Sequence, residues 1–176
     1  MSLKTFIRRP QDCSSALRHA FAEVVISGEE MDERQVLLGM PYAEVLLFTV
    51  EGQTVIGACA LRYPKLSFLR HLFEKAGKPE MCNPHSIEEC WLSVHPDHRG
   101  KGVWAHNRQA KVSYLGNRPY HSVMRADNLN VVNPDKEEKY VTVGTDFHSH
   151  ISDHKLRLMV VNHDPVFDPE KRLVYL

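Results

Sequence analysis

The sequence predicts an α/β fold of the α+β kind, with a mixed central sheet of about seven strands flanked by helices. Three observations carry this. Runs of strand-like residues alternate with segments of helical period along the whole chain. One strand, 87–94, leads into a basic, glycine-containing turn and then a helix. The composition, 43% hydrophobic and 25% charged, is that of a single globular domain spanning 1–176, long enough for a proper core.

The elements follow in order. Residues 4–8 read as a short strand ended by Pro10. Asp12, Ser14 or Ser15 can cap the helix that follows, in which Leu17, Ala20, Phe21, Val24 and Val25 repeat at the spacing of one buried face. Gly28 ends it, and a second short helix fits 32–38, closed by Gly39 and Pro41. Two nearly continuous apolar runs, 44–50 and 54–63, flank Glu51-Gly52-Gln53 and read as a hairpin covered on both faces. Leu69, Leu72, Phe73 and Ala76 share one side of an amphipathic helix at 66–76. After the strand at 87–94 and its turn, 105–115 is free of Pro and Gly and reads as helix. Strand 120–126, a polar stretch with Asn133-Pro134 at a helix start, and strands 141–149 and 155–162 complete the chain.

Formal net charge is zero, so no global field draws the chain to nucleic acid or an anionic membrane. No apolar run approaches the ~18 residues of a membrane span. The N-terminus lacks the apolar core of a signal peptide. Cys13, Cys59, Cys82 and Cys90 form no C-x-x-C pair and read as free thiols of a reducing cytoplasm.

The turn after 87–94 carries the functional reading. The first amides of a helix have no partner within it, and its dipole adds partial positive charge, so a strand–turn–helix makes an anion site. Arg99 and Lys101 add full charges, and Gly100 and Gly102 allow close backbone approach. The expected anion is a phosphate or pyrophosphate. The glycine spacing is wrong for a P-loop. The dinucleotide fingerprint is met only weakly, by Gly100, Gly102 and Ala105, and it comes halfway along the chain.

The run Val94-His-Pro-Asp-His-Arg99-Gly-Lys-Gly102-Val-Trp104 resembles motif A of the GCN5-related N-acetyltransferases, R/Q-x-x-G-x-G/A after a strand ending in Val-x-Pro. Trp104 stands where that family has Gly or Ala. The family's second motif is an Asn, a short helix ending in Tyr, then Gly on a strand. It is matched by Asn133 through Tyr140 to Gly144, with Asn128 a competing Asn. Leaving out the helix at 66–76, the element order matches the same fold.

The resemblance implies an acetyltransferase fold and an enzyme that moves an acyl group from acetyl-coenzyme A to an amine. The acceptor would be a small-molecule or peptide amine, and the family leaves room for a homodimer. Cofactor contacts carry over to Leu92, Ser93 and Val94 of the strand, to Arg99, Gly100, Lys101, Gly102, Val103 and Trp104 of the turn, and to Asn133. The base that takes the amine proton carries over to Glu89 or Glu88, and the acid at the leaving sulfur to Tyr140. By strict alternation Ile87, Glu89, Trp91 and Ser93 share one face, so an apolar neighbour would raise the pKa of Glu89. The ordinary alternatives are two exposed carboxylates and a core tyrosine.

His148 and His150 would lie on one strand face, with His154 and His163 nearby, but no Cys or tight acidic cluster completes a metal set. Polar-face histidines or the lining of an acceptor pocket are the plainer readings, and no metal is expected. Two other functional classes stay open: transfer of a longer acyl chain, as by acyl-homoserine-lactone synthases, whose acidic and aromatic signature is not recognisable, and acyl-CoA binding without catalysis.

Overall fold

The computed structural model describes residues 2–28, 31–128, 139–149 and 153–163. Its elements, in order, are β1 (Leu3–Arg8), α1 (Ser15–Ile26), α2 (Glu33–Gly39), β2 (Val45–Glu51), β3 (Thr54–Arg62), α3 (Leu66–Lys75), β4 (Ile87–Val94), α4 (Val103–Leu115), β5 (Tyr120–Arg125), β6 (Val141–His148) and β7 (Lys155–Val161). The described residues hold seven strands and four α-helices, the α+β class expected. The helix anticipated at Asn133 lies outside the described residues. The chain divides into two compact units, each assembled from separate stretches: Met1–Arg62 with Glu89–Gly116, and Tyr63–Glu88 with Asn117–Leu176.

In the first unit, capping sets the helix starts. The Ser14 hydroxyl accepts from the Leu17 N–H at 3.2 Å, and the Asp32 carboxylate accepts from the N–H groups of Arg34 and Gln35 at 2.7 and 3.3 Å. Each such cap stabilises its helix by about 1 kcal/mol. Strands β1, β2, β3 and β4 are neighbours in that order, with β1–β2 and β2–β3 antiparallel. Successive residues of β2 and β3 point to opposite sides. Leu46, Phe48, Ala58 and Ala60 join the core formed with Phe21, Ala22, Val24 and Val25 of α1 and Val36 of α2. Phe6 stacks on Phe48 at 5.2 Å, and Phe21 meets Phe48 edge-on at 5.4 Å. The other side of the same strands carries α4: Val103 packs against Gly57, and Asn107 reaches Thr49. The two-sided cover read from the sequence is thus supplied by α1 and α2 on one face and α4 on the other.

In the second unit, β7 lies between β5 and β6 and pairs antiparallel with both. Leu69, Leu72 and Phe73 of α3 form a core with Val143 of β6 and with Leu158 and Val160 of β7. The β6–β7 register shifts between Val143 and Phe147, and the displaced backbone meets the end of α3, where the Thr145 N–H donates to the Ala76 carbonyl at 3.0 Å. Gly144 has φ 61°, and a Cβ there would overlap that same carbonyl. The bulge therefore closes one of the open carbonyls of the helix end.

Among the described residues, no helix is long and apolar enough to cross a membrane.

Candidate functional site

The site is the β4–α4 connection in the first unit. Pro96–His98 forms a short 3-10 turn, in which the Asp97 N–H donates to His95 Nδ1 at 3.4 Å. Gly100 and Gly102 follow with φ of 76° and 78°. A Cβ at either would meet nothing within 4 Å, so it is the left-handed backbone, not crowding, that favours glycine there. Helix α4 begins at Val103, two residues before the expected start, and its cap residue Gly102 supplies no side-chain bond to the first amides. Those donors are left for water or a ligand.

Two cations stand beside them. Arg99 Nε donates to the Val94 carbonyl at 3.2 Å, which uses one of the five guanidinium donors. Lys101 Nζ donates to the Asp97 carbonyl at 2.8 Å. Both side chains brace the loop that bears them, and both residues are exposed. Residues Leu92, Ser93 and Val94, expected along an acyl chain, are half-buried at the end of β4.

The carboxylates differ from the sequence expectation. Glu88 and Glu89 are both buried, at 7% and 2% exposure, so the reading of two solvent-exposed acids is corrected. Glu89 Oε1 accepts from Lys111 Nζ of α4 at 2.6 Å, with both side chains at 0% exposure. Cys59 Sγ lies 4.0 Å from the same oxygen. Glu89 therefore faces α4.

Trp91 does not share that face. It has φ 55°, left-handed in the middle of a strand, and this breaks the alternation on which the sequence reading relied. Cys90 and Trp91 both pack on the α1–α2 core. The Trp91 indole meets Phe21 edge-on at 6.4 Å and lies under Arg62, whose guanidinium carbon is 5.5 Å from the ring centroid. A Cβ on Gly39 would come within 2.7 Å of the same indole. The supposed apolar neighbour of Glu89 is on the far side of the strand, and a buried ammonium stands in its place.

Trp104 is half-buried, and Lys111 Nζ sits 5.1 Å from its ring centroid, one cation–π contact along the helix. The bulky residue at the small position of the loop motif thus turns back along its own helix.

Tyr140 is in the second unit, just before β6, half-buried and edge-on to Tyr120 at 6.3 Å. Asn133 lies outside the described residues. So does His150. His148 and His154 are exposed, and among the described residues no three His, Cys, Asp or Glu side chains gather to hold a metal.

Two clusters escaped the sequence reading. The buried stripe of α4 is Val103, Asn107, Lys111 and Leu115, so half of it is polar. Asn107 Nδ2 donates to Thr49 Oγ1 at 3.3 Å, and Thr49 Oγ1 also bonds Thr5 Oγ1 at 2.8 Å. The four-residue spacing was a usable signal, hidden because Asn and Lys score as surface residues. In the second unit, Ser86 Oγ bonds both His121 Nδ1 at 2.8 Å and His163 Nε2 at 2.7 Å, all three buried. Phe73 stacks on His163 at 6.1 Å, and burial lowers the His163 pKa from 6.5 to about 4.

No family model and no curated protein sequence matches the chain. Solved structures do. An acyl-CoA N-acyltransferase from Pseudomonas aeruginosa superposes with TM-score 0.66 at 12% identity, over 90% of this chain and 99% of that one. The fold is that of the GCN5-related N-acetyltransferases. A putative acetyltransferase from Salmonella typhimurium, yncA, with acetyl-CoA, shares this acetyltransferase fold at TM-score 0.57 and 14% identity, over 96% and 98% of the two chains. A CoA-dependent acyl-homoserine lactone synthase, BjaI, with SAM and isopentyl-CoA, shares it at TM-score 0.67 and 15% identity, over 99% of this chain and 88% of that one.

Proposed function

We propose that the chain is an acyl-coenzyme A-dependent N-acyltransferase that uses acetyl-CoA and an amine acceptor. The observation that carries the reading is the α4 N-terminus. Its amides receive no side-chain cap, two left-handed glycines precede it, and Arg99 and Lys101 flank it. These residues fit a pyrophosphate, which would accept from the free amides and from the guanidinium. The acyl donor would then run along the end of β4.

The reaction forms a C–N bond as the C–S bond of the thioester breaks. One proton leaves the amine and one reaches the departing thiolate. Both β4 carboxylates are buried and have partners, Lys111 in the case of Glu89; we assign the amine proton to Glu88 and the thiolate proton to Tyr140. Longer acyl chains are the second reading, favoured by the isopentyl-CoA of one structure with this fold.

Calorimetry with coenzyme A tests the binding half. Charged hydrogen bonds contribute about 1.5–3 kcal/mol each, so Arg99→Ala should weaken binding about ten-fold or more. Unchanged affinity in a folded variant would remove the loop assignment. Mass spectrometry of an amine panel with acetyl-CoA and isopentyl-CoA tests the transfer half. Coenzyme A binding with no acylated product across the panel would leave a binding domain. With an acceptor in hand, Glu88→Gln should slow turnover about 10²-fold or more with affinity kept. A silent Glu88→Gln would refute that assignment.

A further inference from the structure

We infer that Glu89, Lys111 and Trp104 form a positioning unit that holds the α4 N-terminus in place against β4, so that anion binding at the loop depends on a buried ion pair. The inference rests on the proposed reading of the loop as a coenzyme A site. The connection 95–102 joins the end of β4 to the start of α4, and its shape depends on where those two ends sit. Three contacts fix α4 on the sheet through side chains of its buried stripe. Val103 packs closely on Gly57, an apolar contact with no hydrogen bond to fix its direction. Asn107 bonds Thr49 at 3.3 Å, a long neutral bond. Lys111 bonds Glu89 at 2.6 Å with neither side chain exposed.

Of these three the last has the narrowest acceptable geometry, and a fourth tie, from Tyr114 Oη to Glu44 Oε1 at 2.6 Å, holds the far end of the helix. A helix that turned or slid would separate the ammonium from its carboxylate inside the protein, where neither finds water. Stability alone does not call for such a pair, since well-packed apolar residues of similar volume usually serve as well or better. Fixing register is the best-attested use of a buried polar group. Trp104 belongs to the unit because its ring lies over the ammonium at 5.1 Å. The departure from the small residue of the loop motif is thereby explained by this chain's own Lys111, about two turns along the same helix.

The test separates register from stability. Glu89→Leu with Lys111→Met replaces the pair by apolar bulk, and Glu89→Lys with Lys111→Glu exchanges the charges. Each is measured by thermal unfolding, by hydrogen exchange of the amides at 99–106, and by calorimetry with coenzyme A. The expected result for the apolar pair is a melting temperature near that of the wild type, loop amides exchanging at least ten-fold faster, and affinity at least ten-fold weaker. The exchanged pair should recover both loop protection and affinity relative to the apolar pair. Trp104→Leu should shift the loop readouts in the same direction, and Trp104→Phe, which keeps a ring, should shift them less. Unchanged loop exchange in the apolar pair overturns the inference. Faster exchange with wild-type affinity overturns its link to the anion site. If the apolar pair does not fold, the exchanged pair decides, and loop exchange or affinity unlike the wild type overturns the inference. If the wild type itself does not bind coenzyme A, the functional reading has failed, and the exchange measurements alone judge the register role.

Discussion

Gly144→Ala should be among the most damaging small substitutions in the chain. Two costs combine. At φ 61° an alanine pays the left-handed penalty, about 1–2 kcal/mol. The new Cβ also overlaps the Ala76 carbonyl oxygen and lies 2.8 Å from its carbon, both backbone atoms that no rotamer change can move. Either α3 or the β6 bulge must shift, and the Thr145 N–H bond to Ala76 is then lost. An unsatisfied backbone group costs about 1–3 kcal/mol. The sum is about 2–5 kcal/mol. For a chain of this length each kcal/mol lowers the melting temperature by about 2–4 °C, so the expected drop is about 4–20 °C by calorimetry. Gly77→Ala is the control. It has φ 73°, adjoins the same helix end, and has nothing within 4 Å of its Cβ position. It carries the conformational cost without the collision. If the two variants melt within about 2 °C of each other, the close approach of β6 to α3 contributes nothing and the reasoning is wrong.

Three further outcomes are expected. His163 carries a pKa of about 4 in the folded state against 6.5 unfolded, so between those values the unfolded chain binds a proton that the folded one refuses. Stability contributed by His163 is complete above pH 6.5, falls by about 3 kcal/mol as pH drops to 4, and levels off below; in urea titrations His163→Gln should remove that part of the slope, and equal slopes would contradict it. Gly39→Ala should displace the Trp91 indole, because its Cβ would stand 2.7 Å from the ring; a shifted near-ultraviolet circular dichroism spectrum is the readout, and an unchanged spectrum argues against the packing. Tyr140→Phe, once an acceptor is known, should slow turnover about 10²-fold at unchanged coenzyme A affinity, since only the proton donor is removed.

Much of the fold was legible because punctuation and period agreed. The strand 87–94 was bounded correctly, with the turn at Pro96 following it. The capping residues at 12–15, of which Ser14 is the cap, and Asp32 announced α1 and α2, and the apolar hairpin runs announced strands covered on both sides. The glycine-containing turn was legible for the same reason: glycines at positive φ and a helix start are local properties. The carboxylates were not. Whether Glu89 meets water, Trp91 or Lys111 depends on a residue 22 positions away and on one backbone angle. Neither leaves a trace in periodicity. The Ser86, His121 and His163 cluster was hidden likewise, since its members are scattered over 77 positions of sequence separation.

The backbone at Trp91 has a consequence for how β4 serves two masters. A regular strand assigns its residues strictly by parity, so keeping Glu89 against Lys111 would send the Trp91 indole in among the polar groups beneath α4. Keeping the indole against Phe21 would send the carboxylate into an aromatic core. Left unpaired there, it would cost far more than the about 1–2 kcal/mol of a single left-handed residue. The strain is the cheaper resolution, and it changes the reading frame of the strand at one position. A substitution scan along β4 should therefore show a tolerance pattern of period two that slips phase at residue 91. Deleting Trp91 itself would cancel the slip and return both halves of the strand to one frame, at the loss of the indole's contacts with Phe21 and Arg62.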